Sequence, residues 1–260
     1  MTTMPAAFLG HGSPMNTLEH NRFTDAWAAL GLSVERPRAV LAVSAHWYVG
    51  TTAVTSMDHP PVIHDFYGFP PQLFDFDYPA PGSTELAAEV ADLVRPTPVG
   101  LDDATWGLDH GTWSVLAHVF PRADVPVVQL SIDATQPLDH HIEIGRRLAP
   151  LLEEGVMIVA SGNVVHNLRA IAWQATEQGY DWAQRFDDEA RRVLTDDPTA
   201  LGRLTGSAEY ELAAPTPDHF IPLAYLAGVA DARGETPRTL IDGCTMGSLS
   251  MTSYVVGGEA

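Results

Sequence analysis

Four of the eleven histidines share one setting: each lies just past a short apolar run, beside small or turn-forming residues. His11 follows PAAFLG, His46 follows AVLAVSA, His166 follows GVMIVASGNVV, and His219 sits in PTPDHF ahead of an apolar, helix-like stretch. In α/β sheets the carboxyl ends of strands are where ligands collect. Neutral imidazole is also the commonest protein ligand for zinc, iron and copper. The pattern predicts one mononuclear metal site built from His11, His46, His166 and His219. No two of them share an HxH or HExxH motif, so the signal is positional and depends on the strand reading.

Each histidine also has a plainer reading. His11 is flanked by glycines that permit tight turns, which a structural histidine would tolerate equally. His166 sits where Asn163 can cap a helix, so a ligand role and a capping or proton-carrying role both fit. His219 follows Pro215, Pro217 and Asp218, which mark a helix start. His110, in GLDHGTW, is a general acid/base candidate, because the adjacent Asp109 is expected to raise its pKa. His64 and Tyr67 lie in an aromatic loop and are candidates for substrate contact. His118 reads as a core histidine, and His20, His59, His140 and His141 as solvated. Cys244, the single cysteine, excludes a disulfide within the chain and a thiolate zinc site, and reads as a small buried residue.

The elements that must position these side chains are legible as short Val/Ile/Leu-rich runs bounded by Gly, Pro or Ser. Residues 5–9, 38–44, 126–131 and 156–160 read as strands buried on both faces. Helical patterns cover 22–30, 83–94 with Ser83 as cap, 137–153 and 180–195. Residues 238–242 and 247–256 read as strands closing the sheet edge. The alternation predicts an α/β fold: one domain over 1–260, a mainly parallel central sheet flanked by helices, and the metal site at the carboxyl ends of the strands. Residues 58–82, dense in Pro and aromatics, form a long loop of the kind that is usually functional. Neither GxGxxG, GxxxxGK[ST] nor GxSxG is present.

The formal charge is −19, from 14 basic and 33 acidic residues. Such a surface argues against nucleic acid and anionic membranes as partners. The N-terminus has no basic region ahead of an apolar run, and no stretch approaches the ~18 apolar residues of a membrane span. A cytoplasmic protein, monomeric or a small homo-oligomer, is the expectation.

At these residues the chain resembles a known family. FLGHGSPMN, VSAHW, IHDFYGFP, YPAPGS, GLDHGTWSVL, PVVQLSID, SGNVVHNLR, PTPDHFIPL and MGSLSM look like the DOPA 4,5-dioxygenase branch of the class III, LigB-type extradiol ring-cleavage dioxygenases. The likeness runs from about residue 5 to residue 255. It implies a single α/β domain and one non-haem metal. It also implies insertion of both atoms of O2 into a small catechol such as L-DOPA, next to its hydroxyl pair. Carried over, His11 and His46 correspond to metal ligands, and His219 completes the set where the wider class usually has a glutamate. His166 matches the acid/base histidine of the wider class, or in this branch a fourth ligand. His110 matches a second active-site histidine beside the substrate.

Fe(II) is the cofactor that dioxygen chemistry needs, yet an all-imidazole set suits Zn(II) as well. A zinc-dependent hydrolase using metal-bound hydroxide is therefore the rival function, and a non-catalytic metal-binding protein a further one.

Overall fold

The computed structural model describes residues 3–258. Among the described residues there are ten strands: β1 Ala6–Gly10, β2 Ala39–Val49, β3 Ala53–Thr55, β4 Gly100–Asp102, β5 Val127–Asp133, β6 Val156–Gly162, β7 Arg238–Ile241, β8 Cys244–Thr245, β9 Leu249–Ser250 and β10 Ser253–Val256. The helices are α1 Arg22–Ser33, α2 Pro71–Phe74, α3 Thr84–Leu93, α4 His110–Val119, α5 Leu138–Leu148, α6 Asp181–Asp196, α7 Tyr210–Ala213 and α8 Pro222–Arg233. Eight strands form one sheet in the order β4-β3-β5-β2-β6-β1-β10-β7, and β8-β9 pair separately. The four central strands run parallel, while β10 joins β1 antiparallel and β3 joins β5 antiparallel. The α/β expectation holds.

Period-two alternation along β2 shows how the strands feed both faces. Leu41 and Val43 enter one core with Leu86 of α3, Ile142 of α5, Phe186 of α6 and Tyr225 of α8. Val40 and Ala42 enter the other, with Trp27 of α1 and Trp113 and Leu116 of α4. Full burial of a leucine such as Leu41 contributes roughly 1.5–3 kcal/mol relative to exposure. Helix ends follow the local chemistry. The Ser83 hydroxyl accepts from Leu86 N at 3.1 Å, and Asn21 with Thr24 forms a capping box on α1.

Four expectations need correction. The 137–153 helix stops at Leu148 and tightens into a 3-10 turn, Ala149–Leu152, around Pro150. The 247–256 strand is two pieces, because β9 turns away to pair with β8. Asn163 caps no α-helix, and His166 lies on none. The Asn163 amide nitrogen donates instead to the Ser250 carbonyl, and the segment reaches only the short 3-10 turn Leu168–Ala170. His141 is not solvated: it is fully buried on α5 and bonds the Tyr225 hydroxyl at 3.0 Å.

Candidate metal centre and active site

His11 leaves the end of β1, and His46 lies in the far part of β2. They flank β6, the strand between them. Pairing of β2 with β5 jumps from Val43↔Leu130 to Tyr48↔Ile132, so four β2 residues oppose one on β5. That irregularity bends the strand and re-aims the His46 ring. His219 sits in the turn ahead of α8, and His110 is the first residue of α4. His166 makes a single bridge to Leu249, and its backbone N–H donates to the Ala213 carbonyl. Gly111 lets α4 approach β2, since a Cβ there would lie 2.5 Å from Ser44 Oγ and 2.8 Å from the His46 ring.

The hydrogen bonds settle which nitrogen of each ring faces inward. The Ser161 hydroxyl donates to the Gly111 carbonyl at 2.5 Å, so its oxygen accepts from His11 Nδ1 at 2.9 Å. His219 Nδ1 donates to the Asp218 carboxylate. His46 Nδ1 and His110 Nδ1 each donate to a different oxygen of Asp65, both at 2.8 Å. All four rings therefore carry the proton on Nδ1 and present an Nε2 lone pair. An oxygen acceptor on the far nitrogen is the usual support of a metal-binding imidazole.

The Nε2 atoms of His11 and His46 face each other at 3.3 Å. Two lone pairs at that distance repel unless a proton or a metal ion lies between them. Nitrogens at about 2.1 Å from a tetrahedral ion would stand about 3.4 Å apart, with ring centroids about 5.2 Å apart. The observed centroid distances are 5.2 Å for His11–His46, 5.2 Å for His11–His219 and 5.1 Å for His46–His219. The His11–His46 pair fits a metal, and the His219 ring stands at the spacing of a third ligand. Proximity of nitrogens alone groups His11, His46 and His110, within 4.8 Å of one another. That set is less regular: the His110 ring lies 3.9 Å from His46 but 6.0 Å from His11. His166 stacks flat on His219, 3.5 Å between centroids and 3° between planes. An imidazole lone pair lies in its ring plane, so these two parallel rings cannot both direct one at the same ion.

Electrostatics follow from burial. The interior pushes the pKa of His11 and His219 well down, and neighbouring histidines push further. Burial lowers that of His166 to about 4. For His46 burial also opposes protonation, but the Asp65 hydrogen bond and the Asp109 charge outweigh it and raise the pKa. Burial would raise the Asp65 carboxyl, yet its bonds from His110 and His46 hold it well below the ordinary range.

The expectation for His110 is corrected on two counts. Its carboxylate partner is Asp65, since Asp109 caps α4 and accepts from Ser44 Oγ and Gln129. Its pKa is lowered, because burial and the neighbouring His46 outweigh Asp65.

These rings open onto a cavity of about 710 Å³. Its walls include Met15, Phe66, Phe69, Ile171, Trp173 and Leu249. Tyr67 stands at the edge, 90% exposed. His64 does not line the cavity. Its Nε2 is 2.8 Å from the Phe76 carbonyl oxygen and its ring packs on Trp113, so it supports the loop from behind. Sequence reasoning missed Asp65, Ser161 and the bonding role of Asp218. The available signal was an acid adjacent to a histidine in HDFYGFP and PTPDHF, although Asp65 serves rings distant in sequence rather than His64.

A family described as the catalytic LigB subunit of aromatic ring-opening dioxygenase matches residues 7–257. A relative from Escherichia coli (strain K12), 4,5-DOPA dioxygenase extradiol, is 49% identical over 98% of this chain and 96% of its own length. A protein of the same name from Beta vulgaris is 35% identical over 95% of this chain and 96% of its own. The crystal structure of an uncharacterized protein from Escherichia coli K12 superposes with a TM-score of 0.85 at 44% identity, covering 98% of this chain and all of that one. This chain belongs to the LigB family of extradiol ring-cleaving dioxygenases.

Proposed function

We propose that the chain opens the ring of a small catechol such as L-DOPA by 4,5-extradiol cleavage, with His11, His46 and His219 holding Fe(II). The observation that carries this reading is the near-equal spacing of those three rings at the mouth of an apolar cavity. Three protein ligands leave positions free for substrate. Bound there, Fe(II) supplies Lewis-acid acidification of a catechol hydroxyl and electron transfer to O2.

The rest is done by side chains. His110, neutral because it is buried, keeps Nδ1–H on Asp65 and turns Nε2 to the cavity, where it accepts the catechol proton and returns it when the ring opens. His166, kept neutral and stacked on His219, is a second proton carrier rather than a fourth ligand. Phe66 and Trp173 hold the aromatic ring and exclude water, and Tyr67 covers the entrance. Each proton-transfer role is worth about 10²–10⁴ in rate.

Divalent-ion affinities favour zinc over Fe(II), so a preparation holding zinc should be silent with O2. Membership of the dioxygenase family weighs against the zinc-hydrolase reading. The test is metal-free protein loaded anaerobically with Fe(II) or Zn(II), then given air and a catechol panel including L-DOPA. A yellow ring-opened product with Fe(II) and none with Zn(II) is expected. Ester or amide hydrolysis by the zinc form, without ring opening by the iron form, would overturn the reading.

A further inference from the structure

One carboxylate, Asp65, stands behind two of the rings that face the cavity. Its Oδ2 meets His46 Nδ1 and its Oδ1 meets His110 Nδ1, each at 2.8 Å, and Oδ1 also accepts the His110 backbone N–H at 3.0 Å. The last contact places the negative charge at the amino end of α4, where the helix dipole favours it. The Asp65 side chain is 19% exposed, so this is a mostly desolvated, three-way junction. Asp109, the nearest alternative acid, is committed to Ser44, Gln129 and Thr112.

We propose that Asp65 is a positioning residue that fixes His46 and His110 in one tautomer together, tying the ligand end of the site to its proton carrier and to the aromatic wall; this rests on the ligand reading above. An ionised carboxylate only accepts, so both imidazoles must place their proton on Nδ1 and leave Nε2 free. An amide at the same place accepts at one atom and donates at the other. One ring would then have to turn a lone pair toward the amide, move its proton to Nε2 and lose its inward acceptor. Phe66 follows Asp65 directly, and its ring meets His110 edge-on at 5.4 Å. The same carboxylate thus registers the substrate wall against the proton carrier.

The test compares wild type, Asp65→Asn, Asp65→Glu and His110→Ala by chelator competition for Zn²⁺, by kcat and KM of the Fe(II) form, and by ¹⁵N NMR of the imidazoles in the zinc-loaded wild type. Asp65→Asn should weaken zinc binding by about 10–100-fold and lower kcat more than it changes KM. Asp65→Glu should recover much of both, and His110→Ala should bind zinc as wild type does. In the wild type at pH 8, His46 and His110 should both appear as Nδ1–H tautomers, a readout that does not depend on any variant folding. Wild-type zinc affinity in Asp65→Asn, or an Nε2–H tautomer at either histidine, would overturn the proposal. If affinity and tautomers behave as stated but the iron form opens no catechol ring, the positioning role stands and the functional reading falls.

Discussion

Gly162 ends β6 directly beneath the turn that carries His219, and replacing it with alanine is a sharp test of how finely that ligand is placed. A Cβ at Gly162 would lie 2.3 Å from the His219 carbonyl oxygen and 3.0 Å from Pro222 Cγ. Ordinary contact begins near 3.4 Å, so the turn must yield by about 1 Å. The 2.9 Å hydrogen bond from Asn163 N–H to the same carbonyl resists that movement. Overpacking of this kind costs typically 1–3 kcal/mol of stability. A 1 Å misplacement of a reacting group can cost about 10²-fold in rate. Gly162→Ala should therefore still fold, melt a few degrees lower, bind Zn²⁺ at least tenfold more weakly and lose about 100-fold in kcat. Chelator competition, a thermal melt and turnover of the Fe(II) form measure the three effects. Gly202→Ala, whose new methyl would meet its nearest atom at 3.9 Å, should be silent in all three. Wild-type zinc affinity and turnover in Gly162→Ala would refute the argument that His219 is a ligand held by this contact.

Three further outcomes follow from the same structure. His110→Ala should cut kcat by about 10²–10⁴ with zinc affinity unchanged, and loss of the metal would instead favour the His11, His46, His110 grouping. Ser83→Ala removes the acceptor for Leu86 N at the start of α3 and should cost about 1 kcal/mol in denaturant unfolding, with no change in turnover. His141, whose pKa burial lowers from 6.5 to about 4, makes stability pH-dependent. The unfolded chain takes up a proton there below about 6.5 and the folded chain does not, so stability present above that pH falls until about pH 4. The gap is worth ~3 kcal/mol, and His141→Gln should flatten this limb of a urea-midpoint-against-pH curve.

The sequence made the framework legible because its strands are buried on both faces. Runs such as AVLAVSA admit little else, and His11 lies just past β1 as expected. His46, expected beyond a strand ending at residue 44, falls inside β2, which runs on to Val49. The capping residue Ser83 was equally plain. What pattern could not supply was long-range partnership. Asp65 lies 45 residues from His110, and Ser161 lies 150 from His11, so neither bond leaves a local trace. The same limit explains the errors. Asp109 is adjacent to His110 in sequence but is drawn away by Ser44 and Gln129, and Asn163 spends its side chain on Ser250 rather than on a helix start. His141 sits next to His140 in a polar stretch, yet the helical turn sends it inward against Tyr225.

The most direct measurement follows O2 and catechol together in one cell with the Fe(II)-loaded protein, using an oxygen electrode and the absorbance of the ring-opened product. The account predicts one O2 consumed for each ring opened, and no loss of catechol under nitrogen. Product formed without O2 uptake, or O2 uptake that leaves the ring intact, would contradict it.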